Sequence, residues 1–464
     1  MVSVTLTQGR WYAGISRYQW LALGLASLGW VFDVFEGQIF VASMNEATPA
    51  LLGGSAAPGE VGFWNHITPS AFLLGGALGG VLFGMLSDRV GRQRTMTYTI
   101  LLYSLCTGLS AFAPGMWSMA GFRFLAAMGV GGEWAVASTL LAEEFPRRSR
   151  AWTQSLFHAS GCLGKCLAVA AGVLLVAQPS FHLPLPLGAG TLEVHGWRLA
   201  FLLGAAPAVM ILWVRRHLRE PEVWRQAVEA GTERPAPAGR LRELFAGDLL
   251  RRTLVGVGLA AVGMATFWGA VIYAKDTLRD ARARGYLAAL PPGADATAGA
   301  AVLAEHAPEL KRAEMLGMFL ATVGSAVGLV CFGPLAEWLG RRGALLLYLL
   351  GGLATSLILF QVLTGAAAIT LFLPLFGFLA TGIGSGCAVY FPELFPTRLR
   401  GTGAGFCFNA GRILAAPALF VAGWLQLGCG LSLAGSSTLI SLLFPVGALL
   451  LVFAPETGGR ELPD

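Results

Sequence analysis

The stretch Gly84-Met-Leu-Ser-Asp88-Arg89-Val-Gly91-Arg92-Gln-Arg94 lies between two apolar segments and packs its charges into a very short turn. It reads as the tight join of two membrane helices: Gly84 lets neighbouring backbones approach, Asp88 closes one helix, and the arginines stay on the inner side of the bilayer. About 249 residues further on stands a similar string, Gly333-Pro-Leu-Ala-Glu337-Trp-Leu-Gly340-Arg341-Arg342. Gly84, Asp88, Gly91 and Arg92 map onto Gly333, Glu337, Gly340 and Arg341. Two unrelated charged turns are the plainer reading, but four matches at one offset favour a duplicated helix pair and a transporter built of two halves.

The composition supports a chain in lipid. Only 12% of the 464 residues are charged and 55% are hydrophobic, whereas a soluble globular chain carries roughly a quarter charged residues. A net charge of +6 is compatible with nucleic-acid binding, but its placement argues against that partner. Arginines gather at 89–94, 147–150, 215–252, 341–342 and 398–400, while 43–65 and 177–197 contain neither Lys nor Arg. That alternation is the positive-inside pattern, with both termini cytoplasmic. The first apolar segment, 20–41, is long enough to remain as a span and has no basic, apolar, small-residue leader before it. All seven cysteines fall in apolar segments, so disulfides are not expected.

Twelve spans are expected, at about 20–41, 66–87, 96–113, 117–142, 152–177 and 197–215, then 253–275, 314–338, 344–363, 369–391, 403–425 and 431–453. The fold class is an all-α membrane protein of two pseudo-symmetric six-helix bundles. An N-terminal bundle covers 1–215, a polar cytoplasmic linker 216–252, and a C-terminal bundle 253–464. The segment 276–312 is long for an external loop, is broken at Leu290-Pro-Pro-Gly, and has no readable role. The duplication extends to Glu143-Glu-Phe145-Pro146-Arg-Arg148-Ser-Arg150, repeated as Glu393-Leu-Phe395-Pro396-Thr-Arg398-Leu-Arg400. Each copy is expected to join the fourth and fifth helices of its half on the inside.

The duplicated turn resembles the signature loop of the major facilitator superfamily, present once in each half. Pro455-Glu-Thr457-Gly-Gly-Arg460-Glu-Leu462, Pro221-Glu222, Pro392-Glu-Leu-Phe-Pro-Thr-Arg-Leu-Arg-Gly401 and Arg123 followed by Gly129-Val-Gly131-Gly132 resemble motifs of its sugar-porter branch. That branch carries paired glutamines on its seventh helix, and Leu259-Ala-Ala-Val-Gly-Met-Ala-Thr-Phe-Trp-Gly-Ala has none. Phe32-Asp33-Val-Phe-Glu36 together with Gly131-Gly-Glu133-Trp134 looks more like bacterial aromatic-acid, lactate and sialate proton symporters, which move carboxylates.

Ionisable side chains inside the membrane are costly unless they face protein or water, so each is a functional candidate. Asp33 and Glu36, three residues apart, share a helix face. The resemblance places Asp33 where proton-coupled sugar porters keep an aspartate and Arg123 where they keep an arginine. A carboxylate beside an arginine holds its charge and releases the arginine when protonated, which suits coupling. The plainer reading is a permanent Asp33–Arg123 pair joining two helices. Glu36 is either a helper or a vestibule residue, and Glu133 either a second proton site or a structural acceptor. Lys165 and Arg412 sit on the fifth and eleventh helices, which the repeat makes equivalent, and two such cations suit one carboxylate. Snorkelling of Lys165 and pairing of Arg412 with a carboxylate on another helix are the bland alternatives. His158 and Asn409 lie on the same two helices and are candidates for the cavity lining. Asp88, Arg92, Glu143 and Arg150 in one half, with Glu337, Arg341, Glu393 and Arg400 in the other, are the candidate gate. Gly75-Gly76-Ala-Leu-Gly79-Gly80 lies in an apolar helix and means close packing rather than phosphate binding.

There is no metal-ligand cluster, nucleotide-binding glycine loop or Ser/His/Asp arrangement, so no cofactor, metal or enzymatic activity is expected, and an ATP-driven pump is disfavoured. The expected function is proton-coupled symport of a small organic anion, a monocarboxylate or aromatic acid, by a monomer in the bacterial inner membrane. The rivals are a sugar or polyol porter, an exporter of drugs or metabolites, and a transport-dead sensor.

Overall fold

The computed structural model describes residues 14–54, 57–145, 147–178, 180–184, 191–209, 241–291, 295–396 and 399–458. The side chains of Asp88, Arg92, Glu143, Arg150 and Arg400 lie outside the described residues, as do Pro146, Arg398 and most of the expected linker, 216–240.

Five long helices run back and forth: α1 (Arg17–Leu51), α2 (Pro58–Val90), α3 (Arg92–Ser110), α4 (Met116–Glu144) and α5 (Arg147–Ala171). The first begins with a capping box in which Ser16 Oγ accepts from the Gln19 N–H and the Gln19 side chain accepts from the Ser16 N–H. After a short connection comes α6 (Gly196–Leu203), then α7 (Gly247–Gly269), which passes through one turn of 3-10 helix into α8 (Ala274–Ala288). The remainder is α9 (Ala296–Glu305), α10 (Ala307–Leu357), α11 (Ala366–Thr381), α12 (Ile383–Leu394), α13 (Arg400–Cys429), α14 (Leu433–Ser441) and α15 (Leu443–Leu450). Eight helices among the described residues are long and apolar enough to cross a membrane, and one of them, Ala307–Val362, holds two of the expected spans. Large apolar side chains such as Leu371, Trp338 and Trp117 stand exposed, as lipid-facing residues do.

The two copies of the opening turn share a backbone feature. Gly91 has φ 103° and caps α3, and Gly340 has φ 76° and breaks α10 into two arms. Both angles fall in the region that a Cβ disfavours, so a glycine is required at the same place in each half.

Two segments differ from expectation. The chain is not purely α-helical: β1 (Ser180–Pro184) and β2 (Thr191–His195) pair antiparallel, with Phe181 opposite Val194. Phe181 and Leu183, then Leu192 and Val194, alternate with other residues at the period of two that a strand requires, a signal sitting in what reads as a loop. The stretch 276–312 is helical over most of its described length, as α8, α9 and the start of α10.

The hairpin lies at one end of the bundle and the duplicated turns at the other. An apolar cluster at the hairpin end spans both halves, joining Val41 and Met44 of α1 to Ile272, Tyr273 and Met315. Between the halves, α2 packs along α13 and α5 along α10.

Candidate functional site

The buried charges fall into three groups. In the first, Arg123 on α4 forms an ion pair with Glu36 on α1 and also donates to the Glu36 main-chain carbonyl at 3.2 Å. Thr107 of α3 donates to the same carboxylate at 2.8 Å, and the guanidinium lies between the rings of Phe72 and Phe201, 5.4 and 5.5 Å from their centroids. Both charges are at most 1% exposed, so each depends on the other.

Asp33 therefore does not pair with Arg123. Its carboxyl lies within hydrogen-bonding reach of Glu133, with Arg412 as the nearby positive charge. None of the four carboxyl oxygens of Asp33 and Glu133 has a hydrogen-bond partner among the described residues. Two ionised carboxylates only accept, so a hydrogen bond between them exists only when one carries a proton. The direction of the helices explains the pairing. Since α1 and α4 run antiparallel, the later acid of α1, Glu36, meets the earlier residue of α4, Arg123, while Asp33 meets Glu133. Ten residues of α4 separate Arg123 from Glu133, about 15 Å along the axis, too far for one acid to serve both.

The second group is set by glycines. Gly75 and Gly79 of α2 lie against the α4 backbone at Phe124 and Met128, while Gly76 and Gly80 face α13 of the other half. A Cβ at Gly76 would stand 2.6 Å from Arg412 Nη1, one at Gly131 2.7 Å from the same atom, and one at Gly80 2.7 Å from Asn409 Cγ. Arg412 and Asn409, one turn apart, thus sit in slots that missing side chains leave. Asn409 donates to the Gly405 carbonyl at 2.9 Å, and its Oδ1 has no partner among the described residues. Arg412 lies 4.9 Å over the Phe408 ring, which stacks on Trp134 of the other half at 4.2 Å. The Trp134 indole N–H points to His158 Nε2 at 3.4 Å, and Trp30 and Phe157 lie 5.5 Å from the imidazole centroid. His158 is thus held among rings, with Nε2 as the acceptor.

The third group lines a cavity between the halves. Gln38, Val41 and Lys165 come from one side, and Phe267, Lys275, Met318 and Thr322 from the other. Lys165 Nζ lies 5.0 Å over Phe267 and has no ion-pair partner among the described residues. Lys165 and Arg412 keep separate neighbours, so the structure does not draw them to a single point as expected.

The family model described as Major Facilitator Superfamily matches residues 28–419. The chain belongs to the major facilitator superfamily. It is 26% identical to the sialic acid transporter NanX of Escherichia coli (strain K12), over 91% of this chain and 92% of that one. It is 28% identical to a protein of Cupriavidus pinatubonensis named "Probable 4-methylmuconolactone transporter", over 98% of this chain and 94% of the relative. A solved structure of a D-xylose-proton symporter superposes with a TM-score of 0.69 at 16% identity, covering 96% of this chain and all of that one, a likeness of fold. The protein is a membrane transporter and not an enzyme.

At the turn end of this transporter, the candidate gate residues with described side chains, Glu337, Arg341 and Glu393, lie together within the second half. Arg341 holds Glu393 with two donors at 3.1 and 3.0 Å, and Thr457 donates to the same carboxylate at 2.6 Å. Glu456 caps the helix arm that restarts after Gly340, accepting from the backbone N–H groups of Arg341, Arg342, Thr457 and Gly458 at 2.9 to 3.1 Å. Burial would raise the pKa of Glu456, but these four donors outweigh it and hold the carboxyl below the usual carboxylate range. Glu337 is exposed beside this cluster. The side chains of the other candidate gate residues, Asp88, Arg92, Glu143, Arg150 and Arg400, lie outside the described residues.

The hairpin end holds what sequence reasoning missed. Lys311 Nζ reaches Glu46 of α1 at 2.8 Å, Asn45 donates to Asp276 at 2.9 Å, and the Tyr273 hydroxyl donates to the Asn65 carbonyl at 3.0 Å. All three contacts cross between the halves. The signal was faint, because charges near helix ends read as ordinary loop residues.

Proposed function

We propose that this transporter is a proton-coupled symporter of a small organic monoanion, with twelve helices in two six-helix halves that rock about a central site. The halves are 1–215 and 253–464, joined by the linker 216–252, and the arginine-rich turn end faces the cytoplasm of a bacterial inner membrane, both termini on that side. The observation that carries the reading is Lys165: a cation in the cavity between the halves, lying over the Phe267 ring and lacking a counter-charge among the described residues. An uncompensated cation in such a place favours a ligand that brings one negative charge. The sialic acid named in the Escherichia coli relative is such an acid.

The proton is carried by the Asp33–Glu133 pair, with Arg412 of the opposite half responding to its charge. Glu36 and Arg123 keep the neighbouring helices in register. Arg412, Asn409 and His158 line the route beside the pair. The gate at the turn end is formed by Asp88, Arg92, Glu143 and Arg150 against Glu337, Arg341, Glu393 and Arg400. The transporter works as a monomer.

A thermal-shift screen of purified protein tests the reading, using carboxylates, their methyl esters and neutral hexoses. Carboxylates are expected to raise the melting temperature and their esters to leave it unchanged. Stabilisation by a neutral hexose at least equal to that by any carboxylate overturns it.

A further inference from the structure

The chemistry of Lys275 links two places that the proposed function treats separately. It lines the same cavity as Lys165, facing it from the other half. Yet its ammonium is 1% exposed and lies 2.5 Å from Glu314 Oε1 and 3.1 Å from Asp276 Oδ1. Glu314 Oε1 is shared with Lys311 at 3.0 Å, and Arg279 stands 3.6 Å from Glu314 Oε2. Lys311 in turn holds Glu46 of the first half, and Asp276 accepts from Asn45 of the first half at the same Oδ1 that Lys275 uses. Lys275, Arg279 and Lys311 balance Glu46, Asp276 and Glu314, so the lattice is neutral and clasps the two halves at the hairpin end.

We propose that Lys275 is the second cation of the cargo site and the residue through which an anionic cargo loosens this clasp. The proposal rests on the anion reading of the cavity. An ammonium has three donors, and Glu314 and Asp276 occupy two of them. The third is left for a carboxylate held against Lys165. A second anion on Lys275 competes with Asp276 and Glu314, and those two residues hold the partners that cross to α1. Occupancy of the cavity and the grip on Asn45 and Glu46 are thereby in opposition, which is the differential interaction a ligand needs to shift a conformational equilibrium. A cation with no tie to the lattice has no such leverage, and Lys165 is one. Lys275 is a positioning residue for the clasp and a contact for the cargo.

The test uses the full chain in lipid nanodiscs, with a single reporter cysteine in place of Val41 in a background freed of its native thiols. The readout is the rate of labelling by a water-soluble maleimide. Without any ligand, Lys275→Met is expected to raise the rate about fivefold or more, in the usual range of coupling between sites. Lys275→Arg, which keeps the charge, is expected to raise it less. Reversal of one charge, Glu46→Lys or Lys311→Glu, opens the cavity, and the two reversals together restore slow labelling. In the unsubstituted lattice, sialic acid at saturating concentration speeds labelling and its methyl ester does not, and Lys275→Met abolishes that response. Should Lys275→Met fail to fold, Asn45→Leu removes the crossing hydrogen bond that Asp276, the partner of Lys275, accepts, and is expected to give the same unliganded increase. Unchanged unliganded labelling in Lys275→Met, or a full sialic acid response in that variant, overturns the proposal. The two unliganded arms stand apart from the nature of the cargo. Failure of the anion reading alone shows as a neutral ligand speeding labelling while the clasp variants still behave as described.

Discussion

Arg412 of the second half occupies space that Gly76 of the first half leaves empty, its Nη1 only 2.6 Å from where a Cβ would stand. The neighbouring Gly75 has a different obstacle, the Phe124 backbone, 2.8 Å from its Cβ position at the carbonyl carbon. One glycine stripe thus does two jobs on two faces of α2. It brings α4 close within a half, and it seats a charged side chain across the halves.

Substitution at the two positions is expected to separate these jobs. Gly76→Ala displaces a side chain that can turn away, so the fold persists and ligand affinity falls about tenfold, corresponding to about 1.4 kcal/mol. Gly75→Ala meets backbone that cannot give without parting two helices, with overpacking costs of about 1–3 kcal/mol. Melting temperature and ligand affinity, measured on both variants, check the contrast. Equal loss of stability in the two would mean that the Arg412 seat is not a separate feature.

The carboxyl groups of Asp33 and Glu133, within reach of each other and without another hydrogen-bond partner among the described residues, act on one proton if they form a coupled pair. Asp33→Asn and Glu133→Gln are then expected to give the same phenotype: uphill uptake lost and exchange of substrate across the membrane kept. Each amide imitates the protonated pair, which still binds and reorients. Uptake against a gradient and counterflow in proteoliposomes provide the two measurements. Normal accumulation by either variant leaves that acid a structural role, and a split between them assigns the proton to one residue.

The charges of the candidate site were legible in the sequence, and their pairing was not, for a common cause. The duplicated turn could be read because its charges interrupt apolar sequence and its glycines are needed for a local reason, the positive φ of Gly91 and Gly340. Asp33, Glu36, Arg123 and Glu133 stood out as charges within apolar helices. Their partners did not, because pairing depends on the opposite directions of α1 and α4 rather than on spacing along either. The lattice around Lys275 and Glu46 escaped notice because its members come from three helices and lie near their ends. Pro455-Glu456-Thr457 was visible as a motif, but its capping of Arg341 joins residues 115 apart in sequence.

The Glu456 cap carries a pH signature. Its folded pKa lies below the ordinary carboxylate value of about 4.3, so its stabilisation is complete above that value and is lost as the pH falls through the lower folded pKa. Glu456→Gln removes the charge and keeps one acceptor. The variant is expected to melt below the wild type at pH 7, with the gap closing as the pH drops beneath about 4. Melting curves of both proteins across pH 3–7 in detergent provide the check. A gap that stays constant with pH would assign the cap to shape alone.

On the proposed reading Lys165 senses the charge of the cargo and Arg412 the charge of the proton pair, and the structure places the two among different neighbours. Lys165 has no ion-pair partner among the described residues, so Lys165→Gln is expected to weaken binding of a carboxylate by about 2–5 kcal/mol, the cost of removing one partner of a desolvated charge pair. A micromolar ligand then becomes submillimolar or weaker. Arg412→Lys retains the charge and loses the planar fork seated against Gly76 and Gly131. Its effect on affinity is expected to be smaller than that of Lys165→Gln, and its effect on proton-driven accumulation larger, because the Arg412 charge interacts with that of Asp33. Equilibrium binding of sialic acid and its methyl ester, together with uptake driven by a proton gradient, gives both quantities for each variant. Were both variants to lose affinity alike while coupling stayed intact, the two cations would share the cargo and Arg412 would have no part in sensing the proton. Were the methyl ester to bind as well as the acid in the wild type, neither residue would be reading charge, and the anion assignment would fall with them.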